Sequence, residues 1–268
     1  MLKRMIALAV MTLVLLTILV PAFAESDKLI VGMELAYPPF ETKDENGDPT
    51  GVSVDFAKDF GESIGREVEI QNISWDGLLP ALQTGMIDMV VSSMTITEER
   101  GQVVDFSVPY ANAYLAILVN AESGVETIED LNQAGRKIAV KIGSTGYFFA
   151  TKNLSNAEII GLADESACVT EVSQGKADAF LYDQLTIYRN WQANPETTKA
   201  IFVPFQDVEN WGVAVAKGNA ELLDQLNAFI PEYAGSGGFD ALTEKYLAAE
   251  KAAFDELGFM WFFDLATE

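Results

Sequence analysis

The chain has 268 residues, of which 49% are hydrophobic, and it carries 40 acidic side chains against 17 basic ones, one cysteine and no histidine. The length is sufficient for two lobes, and the acidic excess argues against nucleic acid as a partner, because phosphate binding needs a basic face. The absence of histidine rules out Ser-His-Asp and Cys-His catalysis and histidine metal sites, and no cofactor is expected. Cys168 has no second cysteine to pair with, so we expect a small buried apolar residue.

The first 24 residues have the features of a secretory signal peptide. Lys3 and Arg4 form a basic start, residues 5–20 are apolar apart from two threonines, and a small-x-small site ends at Ala24. The alternative is an uncleaved membrane anchor, since sixteen apolar residues approach the length of a span. We expect cleavage after Ala24 and a periplasmic mature protein with 15 basic residues against 40 acidic ones. A cationic or zwitterionic small molecule is the ligand that this field favours.

The segment after the signal peptide predicts one α/β unit. Strand patterns cover residues 28–33, 68–73 and 86–92, and helical patterns cover residues 54–64 and 77–83. This alternation predicts a βαβαβ unit with a parallel sheet.

A second unit of similar size follows, with strands predicted at 136–142, 157–162, 178–182 and 199–203 and helices beginning near Ser144, Asp164 and Asp183. Residues 82–90 and 172–180 echo each other, because each has a helix end, a glycine, two residues, an aspartate and an apolar strand. The echo supports two related lobes, although a generic helix-to-strand turn in both places is the alternative.

Two further apolar strands, at 114–119 and 211–216, flank the second unit, and helices over 220–233 and 238–249 follow them. If those helices pack on the first unit, the chain crosses between lobes at the two strands. The predicted fold is therefore α/β, with two doubly wound lobes joined by a two-strand hinge: residues 25–112 and 216–268 form lobe 1, and residues 113–215 form lobe 2. A small-molecule site is expected in the cleft between them. The aromatic tail at 259–263 is too short to span a bilayer and should pack in a groove.

The segment SSMTITEER, residues 92–100, leaves the carboxyl end of the third predicted strand. Arg100 offers a planar fork of donors that suits a carboxylate, and Ser93 and Thr95 add hydroxyl groups beside it. The alternative for Arg100 is a surface ion pair with Glu98 or Glu99.

Several motifs resemble, in their order along the chain, the periplasmic polar amino-acid binding proteins of ABC importers (family 3 extracellular solute-binding proteins). They are GMELAYPPF at 32–40, GVSVD at 51–55, LPAL at 79–82, MTITEER at 94–100, FSVPY at 106–110, GSTG at 143–146 and ADAF at 177–180. The resemblance implies a type II periplasmic binding protein fold and a non-catalytic receptor that closes on one polar or basic L-amino acid. It also implies a membrane permease as partner, and we expect a monomer.

The same resemblance implies roles for five residues around the backbone of the ligand. Arg100 and Thr95 match the residues that hold the α-carboxylate, and the N–H of Thr145 also matches a donor to it. Asp183 matches the acceptor of the α-ammonium, with help from the carbonyl of Ser93. Asp183 is also placed to cap a helix, and the two roles are compatible.

Four residues match positions around the ligand side chain. Tyr37 and Trp75 match the aromatic sandwich, with core packing as the alternative. Glu34 matches an acidic position that faces the side chain in some relatives, or it is a solvated charge at a strand end. Lys141 resembles a lysine of glutamine-binding relatives, which favours an amide.

A periplasmic cyclohexadienyl dehydratase on the same fold is the alternative function. It would need a general acid in the cleft, for which Glu34 or Glu209 is available. Such an enzyme, acting on a ligand without an ammonium group, has no use for Asp183, so this residue discriminates between the two functions.

Overall fold

The computed structural model describes residues 28–265, and the predicted signal peptide and its cleavage site lie outside them. The strands are β1 (Leu29–Met33), β2 (Thr42–Lys43), β3 (Pro49–Thr50), β4 (Val68–Asn72), β5 (Met89–Val90), β6 (Val104–Phe106), β7 (Ala111–Ala113), β8 (Leu115–Asn120), β9 (Lys137–Lys141), β10 (Glu158–Leu162), β11 (Ala179–Asp183), β12 (Thr198–Ile201), β13 (Glu209–Trp211) and β14 (Ala214–Ala216). The α-helices are α1 (Val52–Ser63), α2 (Trp75–Gln83), α3 (Glu98–Gly101), α4 (Thr145–Asn153), α5 (Glu165–Ser173), α6 (Gln184–Ala193), α7 (Ala220–Gly235), α8 (Gly238–Tyr246) and α9 (Ala248–Leu257).

The first five-stranded sheet has the order β4-β1-β5-β14-β6. Strand β1 runs parallel to both β4 and β5, so the predicted parallel βαβαβ unit is confirmed. Strands β14 and β6 extend the sheet in antiparallel pairs. Strand β5 has only two residues, whereas seven were predicted, because residues 86–88 still belong to the turn after α2.

The second five-stranded sheet has the order β10-β9-β11-β8-β12. Strand β9 is parallel to β10 and β11, and β8 pairs antiparallel with β11 and β12. The four strands predicted for this unit are all present, with ends that differ by one or two residues. Helices α4, α5 and α6 begin where the sequence placed helix starts.

The two sheets are joined by an antiparallel ribbon of β7 and β13, with Ala111 opposite Trp211 and Ala113 opposite Glu209. The predicted crossings at 114–119 and 211–216 were therefore wrong in position. Strand β8 lies inside the second sheet because its apolar side chains are buried, and it is paired along both edges. The segment 211–216 is divided between the ribbon and β14 of the first sheet. The lobe boundaries themselves stay a prediction.

The echo between the two units has a shared structural basis. Gly85 and Gly175 both have a positive φ, of 73° and 68°, which ends the preceding helix. The following aspartate then accepts a backbone N–H from the neighbouring strand: Asp88 from Ile30 at 2.8 Å and Asp178 from Lys137 at 2.8 Å. Each aspartate therefore ties its turn to the start of the adjacent parallel strand.

The core of the first sheet is aromatic, with fully buried Phe40, Phe56, Phe60, Phe254 and Phe262. The second sheet is covered on both faces by separate apolar clusters. Cys168 is fully buried in one of them, as expected, and burial raises the pKa of its thiol to about 12.

The C-terminal segment departs from the sequence prediction in one respect. The helix predicted over 238–249 ends at Tyr246, and a separate helix, α9, follows from Ala248. The tail packs in a groove as predicted, with Trp261 and Phe262 buried. Its backbone also contacts the ribbon, because the N–H of Asn112 donates to the carbonyl of Phe262 at 2.6 Å. Among residues 28–265, no helix has the length and apolar content needed to cross a bilayer.

Candidate functional site

One cavity between the two sheets, beside the ribbon, is lined by all eight predicted site residues. They are Glu34, Tyr37, Trp75, Ser93, Thr95, Arg100, Thr145 and Asp183. Its walls also include Glu41, Ser92, Leu115, Ser144, Tyr182, Glu209 and Trp211. First-sheet and second-sheet residues both contribute, so the cavity is the predicted cleft in a closed arrangement.

Arg100 is buried, with 7% of its surface exposed, on the short helix α3. Its Nη1 donates to the carbonyl of Thr95 at 2.6 Å, and its Nη2 donates to the carbonyl of Gly143 at 3.0 Å. Within the described chain, no carboxylate lies within 4.0 Å of the guanidinium, so the surface pair with Glu98 or Glu99 is excluded. Burial lowers its pKa to about 10. A buried guanidinium without an anion is a site for one.

Two backbone donors stand near this cation. Thr145 is the first residue of α4, where amide groups lack helical acceptors, and Ser144 caps the helix by accepting from Tyr147 N–H at 3.1 Å. Among the described residues, no acceptor is found for the N–H of Thr145 or for that of Thr95. A helix start with free N–H groups next to a guanidinium favours a bound anion.

The hydroxyl groups of Thr95 and Thr145 both form hydrogen bonds with Glu209. Thr95 Oγ1 and Thr145 Oγ1 donate to the same oxygen of Glu209, Oε2, at 2.9 and 3.0 Å. The other oxygen of Glu209 accepts from Gln206 at 2.7 Å. Burial raises the pKa of Glu209, opposed by these hydrogen bonds and by the charge of Arg100.

Asp183 is buried at the start of α6 and divides its two oxygens between two tasks. Oδ1 caps the helix by accepting the N–H groups of Leu185 at 2.9 Å and Thr186 at 3.1 Å. Oδ2 is buried and accepts no hydrogen bond of ordinary geometry from the described part of the chain, although the Tyr37 hydroxyl lies close enough to lower the pKa of Asp183. Desolvation outweighs this effect and raises the pKa. An unsatisfied carboxylate oxygen is an acceptor for an ammonium group.

Glu34 is not a solvated charge, because its side chain is 12% exposed and forms an ion pair with the buried ammonium of Lys141. Its Oε1 also accepts the N–H of Trp75 at 3.3 Å. Lys141 lies 3.8 Å from Glu165, whose pKa is raised to about 7, mainly by burial. The Trp75 ring stands beside both cations, 5.3 Å from the guanidinium of Arg100 and 5.5 Å from the ammonium of Lys141.

Ser93 adopts a left-handed backbone conformation with a φ of 48°, which is uncommon for a residue with a side chain. Its hydroxyl donates to Glu41 Oε2 at 3.0 Å, and Ser53 donates to the same oxygen at 2.6 Å. Ser92 donates to Oε1 of Glu41 at 3.3 Å. The buried carboxyl of Glu41 therefore holds the turn in which Ser93 presents its backbone to the cavity.

Tyr37 lines the cavity and is also 6% exposed within the aromatic core. Its ring stacks on Phe40 at 5.3 Å and contacts Trp211 at 6.2 Å. Trp75 is less buried and lies against Gly143 of the second lobe, where a Cβ would approach Nε1 to 3.2 Å.

Comparison with known proteins identifies the fold and the family. The sequence-family model of the bacterial extracellular solute-binding proteins, family 3, matches residues 29–249 of the chain. The chain belongs to this family.

Relatives of this solute-binding protein agree with that assignment. It is 32% identical over 228 residues to the L-cystine-binding protein TcyJ of Escherichia coli (strain K12), covering 84% of this chain and 85% of that protein. It is similar to an ancestral arginine-binding protein bound to arginine, with a TM-score of 0.76, 37% identity and coverage of 82% of this chain and 98% of the other. It is also similar to the ancestral amino acid-binding protein AncCDT-1, a precursor of cyclohexadienyl dehydratase, with a TM-score of 0.74, 37% identity and coverage of 82% and 94%. The resemblance inferred from the motifs and the bilobal α/β fold class are confirmed.

Sequence reasoning missed part of the site of this solute-binding protein. Glu41 and Tyr182 received no role, and Glu209 was considered only as a general acid. The only local signal for Glu41 is its position after the Pro-Pro-Phe segment, which gives no hint that three serines converge on it.

Proposed function

We propose that this solute-binding protein captures one L-amino acid in the closed cavity and delivers it to a membrane ABC permease. The observation that supports it best is a pair of unmet charges: among residues 28–265, no anion pairs with Arg100 and no donor of ordinary geometry reaches Asp183 Oδ2. A zwitterion supplies both missing partners. The α-carboxylate would lie against Arg100 and the N–H groups of Thr95 and Thr145, and the α-ammonium against Asp183 and the carbonyl of Ser93.

Contacts between the lobes support closure around the ligand. Arg100 binds Gly143, Glu34 pairs with Lys141, and Arg189 donates to the carbonyl of Pro38 at 2.7 Å. A ligand that touches both lobes binds the closed form better than the open one and shifts the population towards it.

The side-chain end of the cavity supports a polar guest that donates hydrogen bonds. Glu34 lines this end and can accept from such a donor, and Lys141, which lies outside the cavity lining, pairs with Glu34. A cationic side chain would compete with Lys141 for Glu34, whereas an amide can donate to Glu34 while that ion pair stays in place. We therefore propose a neutral polar amino acid, with glutamine as the first compound to test, ahead of a basic one.

Calorimetry of the mature protein, unfolded and refolded to remove copurified ligand, tests this proposal against the twenty amino acids and cystine. We expect one of them to bind with a Kd near the micromolar range, which corresponds to about 8 kcal/mol. If no amino acid binds, the proposal is overturned. If arginine or lysine binds at least tenfold more tightly than glutamine, the assignment of the side-chain pocket is wrong.

The export of the chain and the cleavage after Ala24 are part of the same proposal. The mature N-terminus should be Glu25, and the mature protein should be a monomer. Mass spectrometry of the exported protein and light scattering test these two statements, and a mass that retains residues 1–24 would support the anchor instead.

One observation favours the dehydratase alternative: two carboxyl groups in the cavity have raised pKa values, as a general acid requires. The pKa of Glu41 is raised to about 8 and that of Glu209 is raised, both mainly by burial. Incubation with prephenate or arogenate tests it, because turnover without amino-acid binding would replace the receptor function by an enzymatic one.

A further inference from the structure

Glu209 lies at the meeting point of three parts of the molecule. It belongs to β13 of the ribbon, and it accepts hydrogen bonds from the hydroxyl groups of Thr95 of the first lobe and Thr145 of the second. Both bonds end on the same oxygen, Oε2, while Oε1 is held by Gln206. We call this set of contacts between Thr95, Thr145 and Glu209 the junction. Opening of the cleft would separate Thr95 from Thr145, so the junction is complete only in the closed form.

The hydrogen bonds of the junction determine which donors near Arg100 are free to bind a ligand carboxylate. A hydroxyl group has one proton, and each threonine directs that proton to Glu209. The oxygen lone pairs of the two hydroxyls remain, and these repel a carboxylate. The donors that are left near Arg100 are its own N–H groups and the backbone N–H groups of Thr95 and Thr145, for which no protein acceptor is found in the described chain.

We propose that Glu209 is a positioning residue for the amino-acid site. From the hinge it fixes both threonines in the closed form, so that their backbone N–H groups, rather than their hydroxyl groups, face the ligand carboxylate. This inference rests on the proposed function, and it adds a residue of the cavity wall that acts through the two threonines.

The charge of Glu209 has a second consequence. Arg100 is the charged group that faces it, and no ion pair within 4.0 Å joins the two among the described residues. A ligand carboxylate placed beside Arg100 brings a second negative charge near Glu209. Binding should therefore raise the proton affinity of Glu209 and draw in a fraction of a proton.

Two substitutions of Glu209 distinguish the effect of its hydrogen bonds to the threonines from the effect of its negative charge. Glu209→Gln keeps an oxygen that can accept from both hydroxyls and removes the charge, so affinity should stay within about threefold of the unsubstituted protein. Glu209→Ala removes the acceptor that holds both hydroxyl groups, and affinity should fall by about tenfold, which corresponds to about 1.4 kcal/mol. Glu99→Gln, an exposed acid next to Arg100, is the matched control and should change affinity by less than about twofold.

Calorimetry with the preferred amino acid in two buffers of different ionisation enthalpy measures both the Kd and the protons taken up. Proton uptake on binding should be smaller in Glu209→Gln than in the unsubstituted protein, because glutamine at position 209 cannot take up a proton. Glu41 and Glu165 are present in both proteins, so their contributions cancel in the comparison. The double variant Thr95→Val/Thr145→Val removes both hydroxyl donors to Glu209 and should have the same affinity as Glu209→Ala. It replaces Glu209→Ala in the test if that variant does not fold.

The outcomes separate this inference from the proposed function. If the unsubstituted protein binds no amino acid, both fail. If it binds one while both the Glu209→Ala protein and the double threonine variant keep its Kd, or while Glu209→Gln takes up as many protons, only the role of Glu209 is overturned.

Discussion

Arg100 donates from Nη2 to the carbonyl oxygen of Gly143 at 3.0 Å, and the two residues belong to opposite sides of the cleft. The cation predicted for the ligand carboxylate therefore also contributes to closure. Within 28–265, the direct contacts of its positive charge are with two carbonyl oxygens and with the face of Trp75. A bound carboxylate would supply the missing counter-charge where the lobes meet.

Replacement of Arg100 by alanine should weaken amino-acid binding by at least tenfold, because a buried carboxylate would lose its paired charge. Lysine at this position should give an intermediate Kd, since an ammonium group cannot reach both carbonyls as a planar fork does. Calorimetry gives both values. Arg136→Ala, which removes a cation paired with Asp178 outside the cavity, is the control and should leave the Kd unchanged. An unaltered Kd in Arg100→Ala would show that the guanidinium takes no part in binding.

Asp183→Asn should weaken binding of amino acids by at least tenfold while leaving the melting temperature of the empty protein unchanged or slightly higher. Asparagine caps a helix as well as aspartate does, and the substitution removes a buried charge whose pKa is raised by desolvation. Asp183→Ala also loses the cap and should cost about 1 kcal/mol of stability. Differential scanning calorimetry compares the three proteins. A fall in melting temperature as large in the asparagine variant as in the alanine variant would reduce Asp183 to a structural cap.

Gly143→Ala should lower affinity more than Gly85→Ala does. Both glycines have a positive φ, of 77° and 73°, so an alanine at either position carries the same backbone strain of about 1 kcal/mol. Only at position 143 does the new Cβ meet another lobe, at 3.2 Å from Trp75 Nε1, whereas the space around Gly85 is open. The matched pair isolates the interlobe contact. Equal Kd values in the two variants would mean that closure tolerates the added methyl group.

The stability of the empty protein should fall as the pH rises towards about 8, in part because of Glu41. Its folded pKa is raised from the usual 4.5 to about 8, chiefly by burial, so its stabilising protonated form is complete below the unfolded pKa and is lost as the pH rises through the folded one. One such group changes the free energy of unfolding by up to about 1.4 kcal/mol per pH unit within this window. Urea unfolding between pH 5.5 and 8.5 measures the slope.

Glu41→Gln is the matching variant for that measurement, because its amide oxygen can replace Oε2 as the acceptor for Ser53 and Ser93 and the side chain cannot titrate. Its stability should depend less on pH than that of the unsubstituted protein. Glu165, with a pKa of about 7, leaves a residual slope in both proteins, so the range from about pH 7 to 8 discriminates best. Parallel curves over this range would contradict the assignment.

Much of the fold could be predicted because its signals are local. Strands such as β9 and β10 are short apolar runs, and helices such as α6 begin at a capping residue, Asp183, that the sequence shows directly. The crossings were misplaced because β8 and the segment 211–216 are apolar like their neighbours, and apolarity does not say which sheet a strand joins. The separate helix α9 was missed for a similar reason, since only the conformation at Leu247 separates it from α8.

The motifs by themselves determined an α/β protein with Arg100, Thr95, Thr145 and Asp183 near the carboxyl ends of strands, because strand, turn and cap chemistry is set by near neighbours in the chain. Only the tertiary structure decided that Glu209 joins two threonines from opposite lobes, that Glu41 is buried among serines, and that Lys141 pairs with Glu34. These contacts join residues up to 114 positions apart, and burial, rather than residue type, decides whether a carboxyl there is a solvated charge or part of a site.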